Sequence, residues 1–563
     1  MSKREHLVIL FLLAVTIWAA RYARSAEFGL YEDDYTYTPR ALAMGWGDLA
    51  KEVAGSFNIA ANHGKLLHTP VILTLNFLGG KLNGLQGVYW VGFAICVLNA
   101  WLFYWLLRRV GPPLFALIGG LAYSLYSADT TQALLTNALG LQTSLTFLLL
   151  AFHSYLSGRK WVAYGLAGLI LISYEVPFPV FLGAPLLAGF LQPEGRPAGW
   201  KEWVRHAAIL AGMLLLAALI RRLAGESRVA GLDLETIVRT PLTQMVLGTW
   251  TSLKLFLLRN PVRALTNRQV WQIGWMVGLL ILHGAALWLA SSRRGAGEPE
   301  AIPQKAELDI KQELMRLLTG VALLALAYAL AFTIPATEAD GRDSRVHLAA
   351  VVGTAWLVGW GGTLLLNLVR AYGGRLAGAL RLAGIAILAA FFALQVGYGA
   401  LIQRDYAASW QYQRQFWTQL LPLITDMEDG DIILVEPSVT RATGQIGVIT
   451  WNTPRVLQQI YRFPAEWQAL PRVYRLEGGW EQRLISPEGL VQINQNTLFI
   501  PESMYVDVES EQVIFIEVQD ERLVRHNAPL LLNGTQYPVK QQVPTAGQPF
   551  APGELYHLMI LSP

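Results

Sequence analysis

Apolar runs of about 17 to 25 residues, the length that crosses a lipid bilayer, begin near residues 6, 84, 111, 131, 160, 176, 204, 271, 315, 347 and 378 of this 563-residue chain. A chain with eleven such runs has few folds open to it. Backbone polar groups in hydrocarbon must be satisfied within the segment, so each run predicts a helix. Only 15% of the residues are charged, against about 25% in soluble domains. The expected class is therefore a mainly α polytopic membrane protein with about eleven transmembrane helices. The stretch "HTPVILTLNFLGGKL" is apolar for too short a distance to cross before its Gly pair, which predicts a re-entrant or interfacial helix. The basic, apolar N-terminus lacks a small residue where a signal peptidase would need one, since Arg24 stands there, and it predicts an uncleaved anchor.

Cationic residues orient the spans. Arg108 and Arg109, Arg159 and Lys160, the group Arg196, Lys201 and Arg205, the pair Arg293 and Arg294, and the group Arg370, Arg375 and Arg381 fall in alternate short loops, while "SADTTQ" and "SYEVP" contain neither Lys nor Arg. The positive-inside rule places the N-terminus in the cytoplasm and, with an odd number of spans, the C-terminus outside. The formal charge of +4 thus reports topology and implies no nucleic-acid partner. Trp and Tyr at span ends form an aromatic belt, and His153, His206 and His283 read as interfacial or packed. The lone Cys96 excludes an internal disulfide framework.

Two outer loops, at about residues 24–83 and 223–270, carry a further pattern. Thr38 as N-cap with Pro39 at the first helical position predicts a surface helix whose apolar face holds Leu42, Trp46, Leu49 and Val53. Thr240 and Pro241 repeat that start signal in the second loop. The expected domains are a membrane domain over 1–402 and an extracytoplasmic mixed α/β domain over 403–563. In the latter, residues 404–427 read as a helix, and "GDIILVEP", "IGVITW", "NTLFIP" and "EQVIFIEVQ" read as strands. No phosphate loop or nucleophile elbow occurs in it. The stretch "SSRRGAGEPEAIPQK" reads as a cytoplasmic flexible linker.

The charged residues expected outside suggest chemistry. Glu32, Asp33 and Asp34, in "GLYEDDYTYTPRAL", stand side by side just beyond the first span. Crowded carboxylates at a low-dielectric boundary favour capture of a proton or cation, and one of them can act as a general base toward a hydroxyl; the alternative is a solvated loop that complements a helix N-terminus. Asp129, in "LYSADTTQ", and Glu175, in "ISYEVPFP", are expected at the same face, the former equally readable as a helix cap. Arg342, Arg345 and His347 stand at the outer start of a span, against the positive-inside trend, and guanidinium groups there suit a phosphate or pyrophosphate headgroup; pairing with lipid phosphates or with Asp343 is the plainer reading. His63, Lys65 and His68 are candidates for polar contacts to a substrate. Asp33 and Asp129 are the candidate ligands should a divalent metal ion be used.

An N-terminal span followed at once by acids in an aromatic setting, "YEDDYTY", then surface helices and a many-span body, resembles the glycosyltransferases of the C superfamily, which include the protein O-mannosyltransferases and the lipid A aminoarabinose transferases. The resemblance covers about residues 1–400. It implies transfer of a sugar from a polyprenyl-phosphate-linked donor to an extracytoplasmic acceptor at a bacterial inner membrane, with membrane lipids as neighbours. It implies Asp33, then Asp34, as base, Asp129 as a second acidic position, and Arg342 or Arg345 at the donor phosphate. Glu32 in front of the pair departs from the pattern. Competing readings are a flippase or exporter of lipid-linked sugars, which should show ionisable groups deep within several spans, and a non-catalytic scaffold.

Overall fold

In the computed structural model, residues 3–57, 65–131, 134–191, 199–223, 234–267, 269–292, 310–332, 334–435, 453–475, 490–492, 505–507, 513–520, 522–532, 535–543 and 550–560 are described. The chain is mainly helical and divides into two compact units, Met1–Ala26 with Gly45–Arg404, and Glu27–Met44 with Asp405–Pro563.

Seven helices among the described residues are long and apolar enough to cross a membrane: Arg4–Glu27, His68–Val110, Asn137–Leu156, Trp200–Leu223, Val270–Ser292, Arg342–Tyr372 and Gly374–Leu423; all lie in the first unit except Glu27 at the end of the first and the part of the last from Asp405 on. They define an integral helical membrane protein. Shorter apolar helices cover Pro113–Leu125, Lys160–Ser173 and Phe178–Gly189, and Ile310–Leu326 is helical as well. Each of the eleven expected runs therefore contains helix.

His68–Val110 is two helices across a kink at Asn83 and Gly84, where Gly84 takes φ 52 and ψ −142, a conformation open essentially to glycine alone. A Cβ at Gly79 would come within 2.5 Å of the Val88 Cα, and one at Gly87 within 2.1 Å of the Gly79 carbonyl oxygen. Residues nine apart touch only if the chain has doubled back, so the two arms form a tight hairpin. Its first arm, 68–82, rises about 22 Å, short of the roughly 30 Å of hydrocarbon.

Elsewhere small residues bring helices together, as membrane packing requires in the absence of a hydrophobic drive between apolar surfaces. Gly119 of Pro113–Leu125 lies against Gly359 of Val351–Tyr372, where a Cβ on Gly359 would come within 3.1 Å of the Gly119 Cα. Gly353 similarly meets the backbone of Leu324. Pro113–Leu125 is buried along its length after Pro113.

The expected surface helix is corrected on two points. It begins at Asp34, with Asp33 as N-cap, so Pro39 is its sixth residue and not its first. It also ends at Ala43, and a separate helix runs Trp46–Gly55 after the extended Met44 and Gly45. Thr240 and Pro241 likewise start nothing, because the helix Leu234–Lys254 runs through them.

The second unit carries a four-stranded sheet in the order Arg472–Arg475, Ile432–Val435, Val513–Gln519, Arg522–His526. The first three strands are parallel and the last is antiparallel. Thr453–Ile460 is the helix on the connection between Ile432–Val435 and Arg472–Arg475. Ile433, Leu434, Val435, Val473 and Val513 through Ile516 bury the sheet. Strands at "GDIILVEP" and "EQVIFIEVQ" stand where the alternation places them; "IGVITW", "NTLFIP" and the linker residues 293–305 lie outside the described residues.

Candidate functional site

Asp129 lies on the turn after Pro113–Leu125, is 2% exposed, and accepts hydrogen bonds at Oδ1 from the Thr131 backbone N–H at 2.9 Å and the Thr131 hydroxyl at 2.7 Å. Its Oδ2 is buried and has no hydrogen-bond partner among the described residues. Burial pushes the Asp129 carboxyl above its ordinary value, opposed by the Thr131 hydrogen bonds and by the charges of Arg21 and Arg345. A carboxyl held closer to neutrality than usual, within the field of two guanidinium groups, is equipped to exchange a proton or to face a polar ligand.

The turn around Asp129 is fixed from four directions. The Arg21 guanidinium donates to the Tyr126 carbonyl at 3.1 Å. The Asn260 amide donates to the Ser127 carbonyl at 3.1 Å and hydroxyl at 2.9 Å, while the Ser127 hydroxyl donates to Gln395 at 2.9 Å. From the fourth side the Thr130 N–H donates to the Ser344 hydroxyl at 3.0 Å, and Ser344 donates to the Gly341 carbonyl at 2.7 Å. Gly341, with φ 70 and ψ −160, makes the turn into the 3-10 segment Arg342–Ala350. The structure thus brings together two of the residues singled out in the sequence, Asp129 and Arg345, on segments more than 200 positions apart. Arg342 and Arg345 are both half-buried.

His347 is corrected as a phosphate ligand. It is fully buried, its Nδ1 lies 2.6 Å from the Tyr328 hydroxyl and its Nε2 2.6 Å from the Glu338 carbonyl, so both ring nitrogens are committed to holding the segment. Two residues after Glu338, Asp340 pairs with Arg259 and, at 3.2 Å, with Arg263. Sequence reading passed over this group, although two arginines four apart share a helix face. It also passed over Arg21, which nothing in its own neighbourhood marks.

Lys65 and Glu175 meet as well. Glu175 takes Arg221 in a two-point ion pair at 3.1 Å through each oxygen and Lys65 at 3.4 Å. Burial works against ionisation of Glu175, but Lys65 and then Arg221 outweigh it and hold the carboxyl well below its usual range. This group ties the ends of three helices and is a structural brace. His68 opens its helix half-buried, with its ring over Gly140; His63 lies outside the described residues.

In the second unit, the acidic triplet is divided. Asp34 is fully buried and accepts from the Tyr31 N–H at 3.2 Å, while its own N–H donates to the Tyr31 carbonyl at 2.9 Å. Residues 31–34 therefore close a turn whose two central residues, Glu32 and Asp33, stand half-exposed. Glu32 takes φ 49, a conformation costly for a side-chain-bearing residue. Asp33 and Asp129 belong to different units. Among the described residues no three His, Cys, Asp or Glu side chains are grouped to hold a metal ion.

Comparisons with protein-family models, with curated proteins and with solved structures find no match.

Proposed function

We propose that the protein is a membrane glycosyltransferase that moves a sugar from a polyprenyl-phosphate-type donor to a hydroxyl of an extracytoplasmic protein, lipid or glycan. The observation that supports it most is the buried Asp129 carboxyl under the charge of Arg345, on a turn bonded to the segment that begins at Arg342. An acid and a guanidinium group within one membrane unit suit a phosphate-bearing lipid that arrives in the plane of the bilayer.

In this reading Arg342 and Arg345 hold the donor phosphate, and Asp33, one of the two half-exposed acids of its turn, serves as base. The acceptor oxygen forms a bond to the anomeric carbon from the side opposite the phosphate. The bond from that carbon to the phosphate oxygen breaks, its electron pair leaves with the phosphate, and the acceptor's proton passes to Asp33. The sugar is inverted. The reading includes eleven crossings of a bacterial plasma membrane, a cytoplasmic N-terminus and an extracytoplasmic C-terminal unit.

Purified protein in liposomes, given polyprenyl-phosphate donors with labelled sugars and a panel of hydroxyl acceptors, tests it. Label should reach an acceptor, Asp33→Asn should abolish the transfer, and Arg345→Ala should raise the donor KM. Unchanged transfer by Asp33→Asn, or no transfer from any lipid-linked donor, rejects it.

A further inference from the structure

Pro39 lies in the middle of the helix Asp34–Ala43. Lacking an N–H, it leaves the carbonyl four residues back, that of Tyr35, without its helical partner. The vacant bond is made from far along the chain: the Gln459 side-chain amide donates to the Tyr35 carbonyl at 2.9 Å. The Tyr35 hydroxyl donates to Gln413 at 2.5 Å, and the Gln413 amide reaches the Leu30 carbonyl at 3.4 Å. Tyr31, on the other side of the acidic turn, donates from its hydroxyl to the Tyr406 carbonyl at 2.7 Å and meets the Tyr406 ring edge-on at 5.0 Å. Gly29 runs so close under Trp410 that a Cβ there would enter the ring.

Every one of these anchors, at 406, 410, 413 and 459, belongs to the C-terminal part of the second unit. Tyr31, Asp34 and Tyr35 are buried by them, and Glu32 and Asp33 are left between as the half-exposed pair. Buried hydroxyl, amide and carbonyl groups that lose a partner cost far more than the bond is worth in water, so the clamp is specific and stiff. We infer that the C-terminal domain is the positioning element for the acidic turn, with Tyr35, Gln413 and Gln459 as the positioning residues that hold Asp33 at a set place and angle. Only the consequence for rate rests on the glycosyltransferase reading; the clamp itself does not.

The test uses full-length protein in nanodiscs with two variants, Gln459→Leu and Tyr35→Phe, the second removing a single oxygen. Amide hydrogen exchange is followed over residues 27–44, with the strand Val513–Gln519 as internal control, alongside sugar transfer. The expected result is exchange over 35–43 faster by about tenfold with the strand unchanged, and kcat lower by about tenfold with the donor KM within about twofold. A general weakening of the domain would speed exchange in the strand as well; if Gln459→Leu does so, Tyr35→Phe decides. Unchanged exchange over 27–44 in Tyr35→Phe overturns the inference, as does an equal rise in the strand. Faster exchange over 27–44 alone, in a protein that transfers no sugar from any donor, supports the clamp and rejects the glycosyltransferase reading.

Discussion

The Thr130 backbone N–H donates to the Ser344 hydroxyl at 3.0 Å, and the Thr130 hydroxyl lies 2.9 Å from the same oxygen. One serine thereby fastens the turn that presents Asp129 to the segment that presents Arg345. Both partners are buried, so loss of the oxygen strands an amide away from water. Ser344→Ala should cost about 2 kcal/mol of stability, measured by thermal unfolding in detergent. In the transfer assay its donor KM should rise several-fold while kcat changes little, because the arginine segment would shift relative to Asp129.

Glu175 supplies a pH dependence whose sign follows from its depressed carboxyl pKa. The ion pairs with Lys65 and Arg221 contribute stability that is fully present above the ordinary glutamate value of 4.5 and is lost as pH falls below it toward the folded-state value. Wild type should therefore lose stability on acidification below about pH 4.5, whereas Glu175→Gln, already about 2–4 kcal/mol less stable at pH 7, should show a flatter profile. Thermal midpoints at pH 7 and pH 4 in matched detergent check this. Equal acid sensitivity in the two proteins would remove Glu175 from its bracing role.

Gly341 can be tested against glycines that carry no conformational demand. With φ 70 and ψ −160, Gly341→Ala should cost about 1–3 kcal/mol and loosen the Ser344 contact behind it. Gly274 and Gly278, in the helix Val270–Ser292 with open space where a Cβ would go, should tolerate alanine with a gain of up to about 1 kcal/mol. Unfolding of the three single variants in one detergent provides the comparison.

In the proposed transfer reaction, backbone strain at Glu32 separates the two half-exposed acids of the triplet as candidates for the base. Glu32→Gly should stabilise the turn by about 1 kcal/mol, since glycine takes φ 49 without penalty, and should keep most transfer activity. Asp33→Asn should keep stability and lose transfer. The reverse pattern would move the base to Glu32.

What could be read from residue order alone was what is decided locally. Span positions follow from length and apolarity, and helix stands at all eleven expected runs. The Gly pair in "FLGGKL" signalled the end of an apolar arm, although the reversal itself falls at Asn83 and Gly84. Thr38 and Pro39 misled for a non-local reason: a proline inside a helix is tolerable when another group takes up the carbonyl it abandons, and here that group is Gln459. The bond from Thr130 to Ser344 and the pairing of Asp340 with Arg259 and Arg263 likewise join segments far apart in sequence, so spacing rules could not reach them. His347 looked like an outward cation because its position is at a span boundary; its burial depends on Tyr328 and on the Glu338 carbonyl.

The bond between Tyr35 and Gln459 spans 424 positions. A ribosome delivers the tyrosine long before its partner exists, so the acidic turn must wait through the insertion of almost every membrane helix before it can be locked. A chain cut short anywhere before residue 459 would enter the bilayer with the Tyr35 carbonyl lacking that partner and the turn before it unclamped on that side.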